Sequence, residues 1–453
     1  STRVRSSAAS DVYKRQGDNM GKPFEVKEFD SIICNADYKY DEKYKYLNQK
    51  EFDNLVAFIH EFTGDADSAD ALDFMKIGYR RNVGEVVSIK NYVGLIQMKN
   101  GFQIQVLPKI SFGAEDEGNV QTKRVFLRML RSMKDFPSKV FNDASLKVDQ
   151  MNLYELFINM YLQEVRQLVK RGIKSYYVGQ EDNLRYYKGK LLVNQQVRAN
   201  LAHKERFYVA YEEFHPNRAE NRLVKATLAK LQKLTTSAEN SKEIRQLLTA
   251  FEMVDASVNY AKDFSQVVIN RNTKDYEMLM QWSKVFLMNK SFTTFSGSTA
   301  SRALLFPMES VYESYVAQQI KKVMSPEGWD VSSQDKGHYL FTEPRRQFAL
   351  RPDIVMKRGE RTVILDTKWK SLVDNERVNY GISQADMYQM YAYSKKYNTP
   401  EIWLLYPVND EMRNHKPIRF ESGDGTTVNL HFVDVDKIEE SLQELRSKLE
   451  EGE

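Results

Sequence analysis

The sequence has 453 residues, 42% of them apolar and 28% charged, which is too long for one ordinary core and points to two or three domains. Its 66 basic and 62 acidic residues leave a net charge of only +4, so nucleic-acid binding must rest on local clustering rather than on the total. No apolar run approaches the roughly 18 residues of a membrane span and no signal-peptide pattern is present. With Cys34 as the one cysteine, no intramolecular disulfide or cysteine-rich zinc site is available within these residues. A soluble, intracellular protein with no membrane attachment is expected.

Residues 1–19 are polar and basic without apolar periodicity, and Met20-Gly21-Lys22-Pro23 reads as a natural start. The leader is therefore expected to be foreign, unprocessed or disordered. From residue 20 to about 120 a β-rich module is expected. Asp53 to Ile59 begins a helix, and Val86 to Ile89, Gly94 to Met98 and Phe102 to Leu107 read as strands. Lys99-Asn100-Gly101 is a hairpin signal between the last two, and residues 111–119 read as a loop.

Helical periodicity dominates residues 121–295, through Val125 to Leu130, Asn152 to Lys170, Asn221 to Leu234 and Glu243 to Phe251. A β-like interruption runs from Tyr186 to Leu192. This predicts a mainly helical middle domain followed by a Ser/Thr-rich linker, Ser291 to Ser301. Residues 296–453 read as an α/β domain: a helix from Met308 to Val323, strands, a helix from Ser383 to Lys396, strands at Ile402 to Tyr406 and Leu430 to Val435, and a last helix.

Chemistry concentrates between Arg351 and Trp369. Arg351-Pro352-Asp353-Ile354-Val355-Met356 and Thr362-Val363-Ile364-Leu365-Asp366-Thr367-Lys368-Trp369 are β-rich runs around a charged turn with Gly359, the pattern of an antiparallel hairpin. Strand side chains alternate faces, so Asp366 and Lys368 share one face, with Asp353 on the neighbouring strand. Two carboxylates suit Mg²⁺, which takes one or two of them together with water and substrate phosphate. Lys368 would orient the attacking water or stabilise charge on a pentavalent phosphorus. The competing reading is structural pairing of these acids with Lys368 and Arg351.

Two helices flank this segment. PMESVYESYVAQQI (307–320) places Glu309 and Glu313 four apart on one face, with Tyr312, Tyr315, Val316 and Ile320 toward the core. In the later helix Gln389 and Tyr393 are i, i+4 partners with Asp386 one turn earlier, although Gln384 and Tyr388 have the same spacing. In this order the elements resemble the PD-(D/E)XK nucleases, and the Q-x-x-x-Y spacing resembles their RecB-like branch. The resemblance implies a mixed central sheet, a catalytic set of Asp353, Asp366, Lys368 and Gln389, and metal ligation by Asp353, Asp366 and a helix acid. Glu313 is the chosen acid, with Glu309 left open. Tyr393 and Lys370 are assigned to DNA contact.

Beyond this segment, Tyr92-Val93-Gly94-Leu95-Ile96, Ile104 to Ile110, Asn152 to Phe157, Arg171-Gly172, Tyr187-Lys188-Gly189-Lys190, Asn221-Arg222-Leu223 and Asp386-Met387-Tyr388-Gln389-Met390 together resemble the McrC family. That family supplies the nuclease subunit of the McrBC modification-dependent restriction system. The resemblance implies a bacterial or archaeal cytoplasmic protein that works with a hexameric McrB-like AAA+ GTPase on double-stranded DNA carrying modified cytosine. In the family the N-terminal part docks into the ring and stimulates GTP hydrolysis. The sequence has no G-x-x-x-x-G-K-[ST] loop, so GTP belongs to the partner. The alternatives are a non-cleaving activator of an AAA+ ring and a stand-alone RecB-like repair nuclease.

Overall fold

The computed structural model describes residues 23–63, 74–98, 100–110, 112, 119–133, 152–288 and 302–450. The expected leader, the 291–301 linker and most of the 111–119 loop lie outside these residues. Contacts divide the chain into two units, residues 154–288 forming one and the remaining described residues the other. No helix among the described residues is long and apolar enough to cross a membrane.

The described residues begin with β1 (Phe24–Lys27), β2 (Ser31–Ile33), β3 (Tyr44–Tyr46), α1 (Gln49–Thr63), β4 (Met75–Arg80), β5 (Gly84–Ile89), β6 (Tyr92–Gln97), β7 (Gln103–Leu107) and α2 (Asn119–Leu130). β3-β2-β5-β4 form one four-stranded sheet. β1-β7-β6 form another, completed by residues 302–307 from much later in the chain. Helix α1 carries Phe52, Leu55, Phe58 and Ile59 on one stripe, and these bury against Val26, Ile32, Val87, Ile96 and Ile104. β5, β6 and β7 are the strands legible in the sequence. β1 to β4 are not: β1, β2 and β3 have only three or four residues, and β4 buries only its first side chain, so it carries no apolar alternation.

Gly94 has a structural reason. Its φ is +145°, and a Cβ there would stand 1.9 Å from the Leu304 carbonyl oxygen, on the strand that pairs antiparallel with β6. Gly94→Ala is therefore expected to weaken this sheet by about 3 kcal/mol or more. Amide exchange at residues 93–97 and 304–306 should rise by about two orders of magnitude. Unchanged exchange would contradict the steric argument.

The second unit contains α3 (Leu153–Arg171, its first residue belonging to the first unit), β8 (Tyr176–Leu184), β9 (Lys190–Leu191), α4 (Val193–Asn200), β10 (Phe207–His215), α5 (Ala219–Gln232), α6 (Ala238–Thr249), α7 (Tyr260–Gln266) and α8 (Glu277–Met288). Phe157, Tyr161, Trp282 and Phe286 form its aromatic centre, with Trp282 and Phe286 stacked at 5.5 Å. Here the helical expectation is incomplete. β8 and β10 pair antiparallel over nine residues each, and β9 extends their sheet. These strands carry few buried side chains, so the apolar alternation that announces a strand is absent from them.

The C-terminal part runs β11 (Arg302–Pro307), α9 (Met308–Met324), β12 (Asp330–Ser333), β13 (Tyr339–Phe341), β14 (Gln347–Ala349), β15 (Ile354–Arg358), β16 (Arg361–Thr367), α10 (Gln384–Tyr397), β17 (Glu401–Pro407), β18 (Arg419–Glu421), β19 (Thr427–Val433) and α11 (Ile438–Glu450). Its six-stranded sheet has the order β12-β15-β16-β17-β19-β18. β16, β17 and β19 are mutually parallel and the other pairings antiparallel, so the sheet is mixed. Met390, Tyr393 and Tyr397, spaced as one face of α10, bury against Ile364, Ile402, Leu404 and Tyr406. The whole is a mixed α+β, multidomain architecture.

Candidate active site

The β15–β16 hairpin turns through Gly359-Glu360, with Gly359 in the left-handed region (φ +61°) where a missing Cβ removes the penalty. Ile354 pairs with Leu365, so one step further Asp353 comes opposite Asp366 at the end of the ladder. There Asp353 Oδ2 accepts hydrogen bonds from the Thr367 backbone N–H (2.7 Å) and hydroxyl (2.6 Å). Asp366 is held between β15 and β17 and is 1% exposed. Lys368 Nζ comes within 2.5 Å of Asp366 Oδ2, off the direction of a good hydrogen bond, leaving that buried oxygen with an ion pair and no aligned donor.

Burial, followed by repulsion from Asp353 and Asp386, raises the Asp366 carboxyl above the usual carboxylate range, with Lys368 opposing. Asp353 is raised by burial against the Thr367 bonds and Lys368. Glu313 on α9 is raised by burial and then by Asp353; the bond from Gln334 Nε2 (2.9 Å) and the charge of Lys368 oppose the shift. For Lys368, burial acts downward, but Asp366, Asp353 and Asp386 together outweigh it and raise the ammonium. It stays protonated at neutral pH, which makes it a fixed cation rather than a base.

The structure thus brings Asp353, Asp366, Lys368 and Glu313 into one electrostatic cluster, whereas Glu309 is exposed on α9. It also separates the two Q-x-x-x-Y registers. Gln389 Nε2 donates to the Tyr393 hydroxyl (2.7 Å), and Gln389 Oε1 receives a long 3.5 Å contact from Lys368 Nζ. Gln384, also exposed on α10, bonds the Tyr388 hydroxyl instead. Tyr393 is 1% exposed. This does not suit the expected DNA contact; the ring belongs to the core and its hydroxyl orients Gln389. Lys370 is exposed and donates to the Gly381 carbonyl (2.5 Å).

Sequence reasoning assigned no role to three neighbours. Gln334, at the end of β12, bonds Glu313 and donates its N–H to the Asp353 carbonyl (2.9 Å). Tyr406 lies buried, its hydroxyl without a partner among the described residues and raised by burial and by Asp386 and Asp366. Asp386 follows the N-cap Ser383, whose hydroxyl accepts the Asp386 N–H. Only Asp386 had a signal, its place one turn before Gln389.

Among the described residues no three acidic, histidine or cysteine side chains form a ready-made cation cage. A hard cation that keeps most of its water requires only one or two carboxylates. Asp353 and Asp366 fit it, since both are raised by burial, each repels the other, and one Asp366 oxygen has no aligned donor.

The site residues all fall inside residues 87–407, which match the sequence profile described as "McrBC 5-methylcytosine restriction system component". The chain belongs to this McrBC family. Among solved structures it is similar to a chain of the refined half-complex from a tetradecameric assembly of Thermococcus gammatolerans McrB AAA+ hexamers with bound McrC. The identity is 19% and the TM-score 0.71, over 94% of this chain and 100% of that one. A chain of the Thermococcus gammatolerans McrBC complex matches at 19% identity and TM-score 0.50, over 66% of this chain and 87% of that one. No curated protein sequence matches. At this identity the structural likeness concerns the fold, and it agrees with the McrC resemblance read from the sequence.

Proposed function

We propose that this McrBC family member is an Mg²⁺-dependent DNA endonuclease with a PD-(D/E)XK-type C-terminal domain. It acts with an McrB-like AAA+ GTPase ring on double-stranded DNA carrying methylated cytosine. The observation that carries the reading is the buried Asp366 beside protonated Lys368, with Asp353 opposite on the same hairpin. An antiparallel hairpin joined to parallel strands, flanked by helices bearing Glu313 and Gln389, supports it.

Asp353 and Asp366 would hold the cation, with Glu313 alongside. When bound, Mg²⁺ supplies Lewis-acid polarisation of the scissile phosphate. Lys368 offsets charge that grows on the phosphoryl oxygens. Gln389 steadies Lys368, and because its Nε2 donates to Tyr393, its Oε1 is the atom turned toward the ammonium. Thr367 fixes the Asp353 carboxylate through two bonds. GTP is bound and hydrolysed by the ring.

The test is cleavage of methylated and unmodified duplexes by the chain with its ring partner and GTP, with Mg²⁺ or with EDTA. Cleavage of methylated DNA is expected only with partner, GTP and Mg²⁺ together. No cleavage by the complete set, or undiminished cleavage in EDTA, overturns the proposal. Strong cleavage of unmodified DNA by the chain alone moves the assignment to a stand-alone nuclease.

A further inference from the structure

Between β12 and Asp353 the chain leaves the six-stranded sheet and forms a separate hairpin, β13 with β14, in the register Tyr339↔Ala349 and Phe341↔Gln347. Its root is tied to the site. Leu350 N–H donates to the His338 carbonyl (2.9 Å), and Gln334 bonds both Asp353 and Glu313. The Tyr397 hydroxyl donates to Asp335 Oδ2 (2.9 Å), and the His338 ring lies 4.0 Å from that of Tyr397 on α10, the helix bearing Gln389.

The rest of the hairpin lacks such support. Phe341 and Phe348 are 55% and 67% exposed and meet edge to face at 6.0 Å. Phe348 sits at φ +55°, a conformation that costs a non-glycine residue energy and needs a reason. Lys336, Arg345, Arg346 and Arg351 are exposed, against one acid, Glu343, in the stretch from 336 to 351. Among the described residues none of these four cations pairs with a carboxylate. Arg346 instead stands over the Tyr339 ring at 5.9 Å.

The acids of the site set a requirement. Glu313, Asp353, Asp366 and Asp386 repel a polyanion, and within the cluster only Lys368 counters them. A duplex brought to these carboxylates needs cations beside them that no protein acid has already neutralised. The hairpin provides four, together with two aromatic rings of the kind that pack against sugars and bases.

We propose that the 336–351 hairpin is a DNA-engaging arm, in which Lys336, Arg345, Arg346 and Arg351 hold backbone phosphates beside the scissile bond and Phe341 with Phe348 packs against the bases. The proposal rests on the nuclease reading for its substrate, but its test is separate. Duplex affinity is measured by fluorescence anisotropy over a salt series, for the full chain with its ring partner, in Ca²⁺ to hold back cleavage. Arg345→Gln/Arg346→Gln is expected to weaken binding about tenfold at roughly 0.1 M salt and to lower the salt slope by about 2. Phe341→Ala/Phe348→Ala is expected to weaken binding about tenfold with the slope unchanged.

All four side chains are exposed, so circular dichroism and stimulation of the partner's GTP hydrolysis should stay at parental values. Parental duplex affinity in both variants, or no duplex binding by the parent complex, overturns the arm. Loss of GTPase stimulation with duplex affinity retained also overturns it, assigning the hairpin to the protein partner. Binding that depends on the hairpin in a chain that never cleaves leaves the arm standing and removes the nuclease reading.

Discussion

Asp366→Ala is expected to lower DNA cleavage by about a thousandfold or more without lowering the stability of the fold. These two outcomes together separate a working site from a structural ion pair. If Asp366 existed to pair with Lys368, its loss would destabilise the sheet, because a buried pair broken on one side leaves an uncompensated charge. Here the remaining partner is not fully buried: the Lys368 side chain is 25% exposed and can turn to water. The carboxylate being removed is the unfavourable member, raised by burial and by Asp353. Thermal stability without divalent cation should therefore hold steady or rise. Lys368→Ala should lose cleavage to a similar degree, but it leaves two repelling carboxylates with no cation and pushes both further up. In both variants stimulation of the partner's GTP hydrolysis should persist. Single-turnover cleavage within about tenfold of the parent in both would end the assignment of Asp353, Asp366 and Lys368. A marked fall in stability of Asp366→Ala with cleavage intact would establish the structural pairing instead.

Glu28→Gln is expected to stabilise the protein at pH 8 by about 2 kcal/mol and to change little at pH 4.5. Glu28 follows β1 and is fully buried. Its Oε1 accepts the Lys109 N–H (2.9 Å), and the Trp369 indole N–H spans both carboxyl oxygens at 2.9 and 3.0 Å. Burial outweighs these bonds and lifts the carboxyl from 4.5 to about 7. A folded-state value above the unfolded one means that the folded protein holds the proton more tightly. The stability this adds is complete below about pH 4.5 and is lost as pH rises through 7, the reverse of an ordinary salt-bridged carboxylate. Asp366 shifts in the same direction, so the cation-free chain should weaken from pH 5 to 8. Glutamine keeps an acceptor for both donors and cannot ionise, so the loss at high pH should shrink. Denaturation midpoints of parent and variant at pH 5 and 8 decide the matter; destabilisation of the variant at both pH values would contradict it. Trp369 directly follows Lys368 and packs 5.2 Å from Tyr312, the neighbour of Glu313. The bond that Glu28 accepts from Trp369 therefore ties the end of β1 to the strand and helix of the candidate site.

Much of the site was legible because its chemistry is local. The alternation along the β16 run placed Asp366 and Lys368 on one face, the charged turn with Gly359 announced the hairpin that sets Asp353 opposite, and helical spacing put Gln389 with Tyr393 and Glu313 with Glu309. Each of these relations spans a few residues, and backbone geometry alone determines them. The choice between Gln384 and Gln389 could not be made that way, since both satisfy the same spacing; the core position of Tyr393 and the contact of Gln389 with Lys368 decided it. Burial also placed the Tyr393 ring in the core, 1% exposed.

What remained invisible depends on partners distant in sequence. Glu28 meets Trp369 across 341 positions, and β11 completes the sheet of β6 and β7. Gln334 becomes a neighbour of Glu313 and Asp353 only when β12 pairs with β15. A strand's period states which side chains share a face but not which strand lies beside it. The sequence by itself therefore determined the pairing of Asp366 with Lys368 and the helices around it. Tertiary structure decided the carboxyl shifts, the register of α10, the bond from Trp369 to Glu28 and the exposure of the 336–351 hairpin, because burial and charge proximity arise only when distant segments pack.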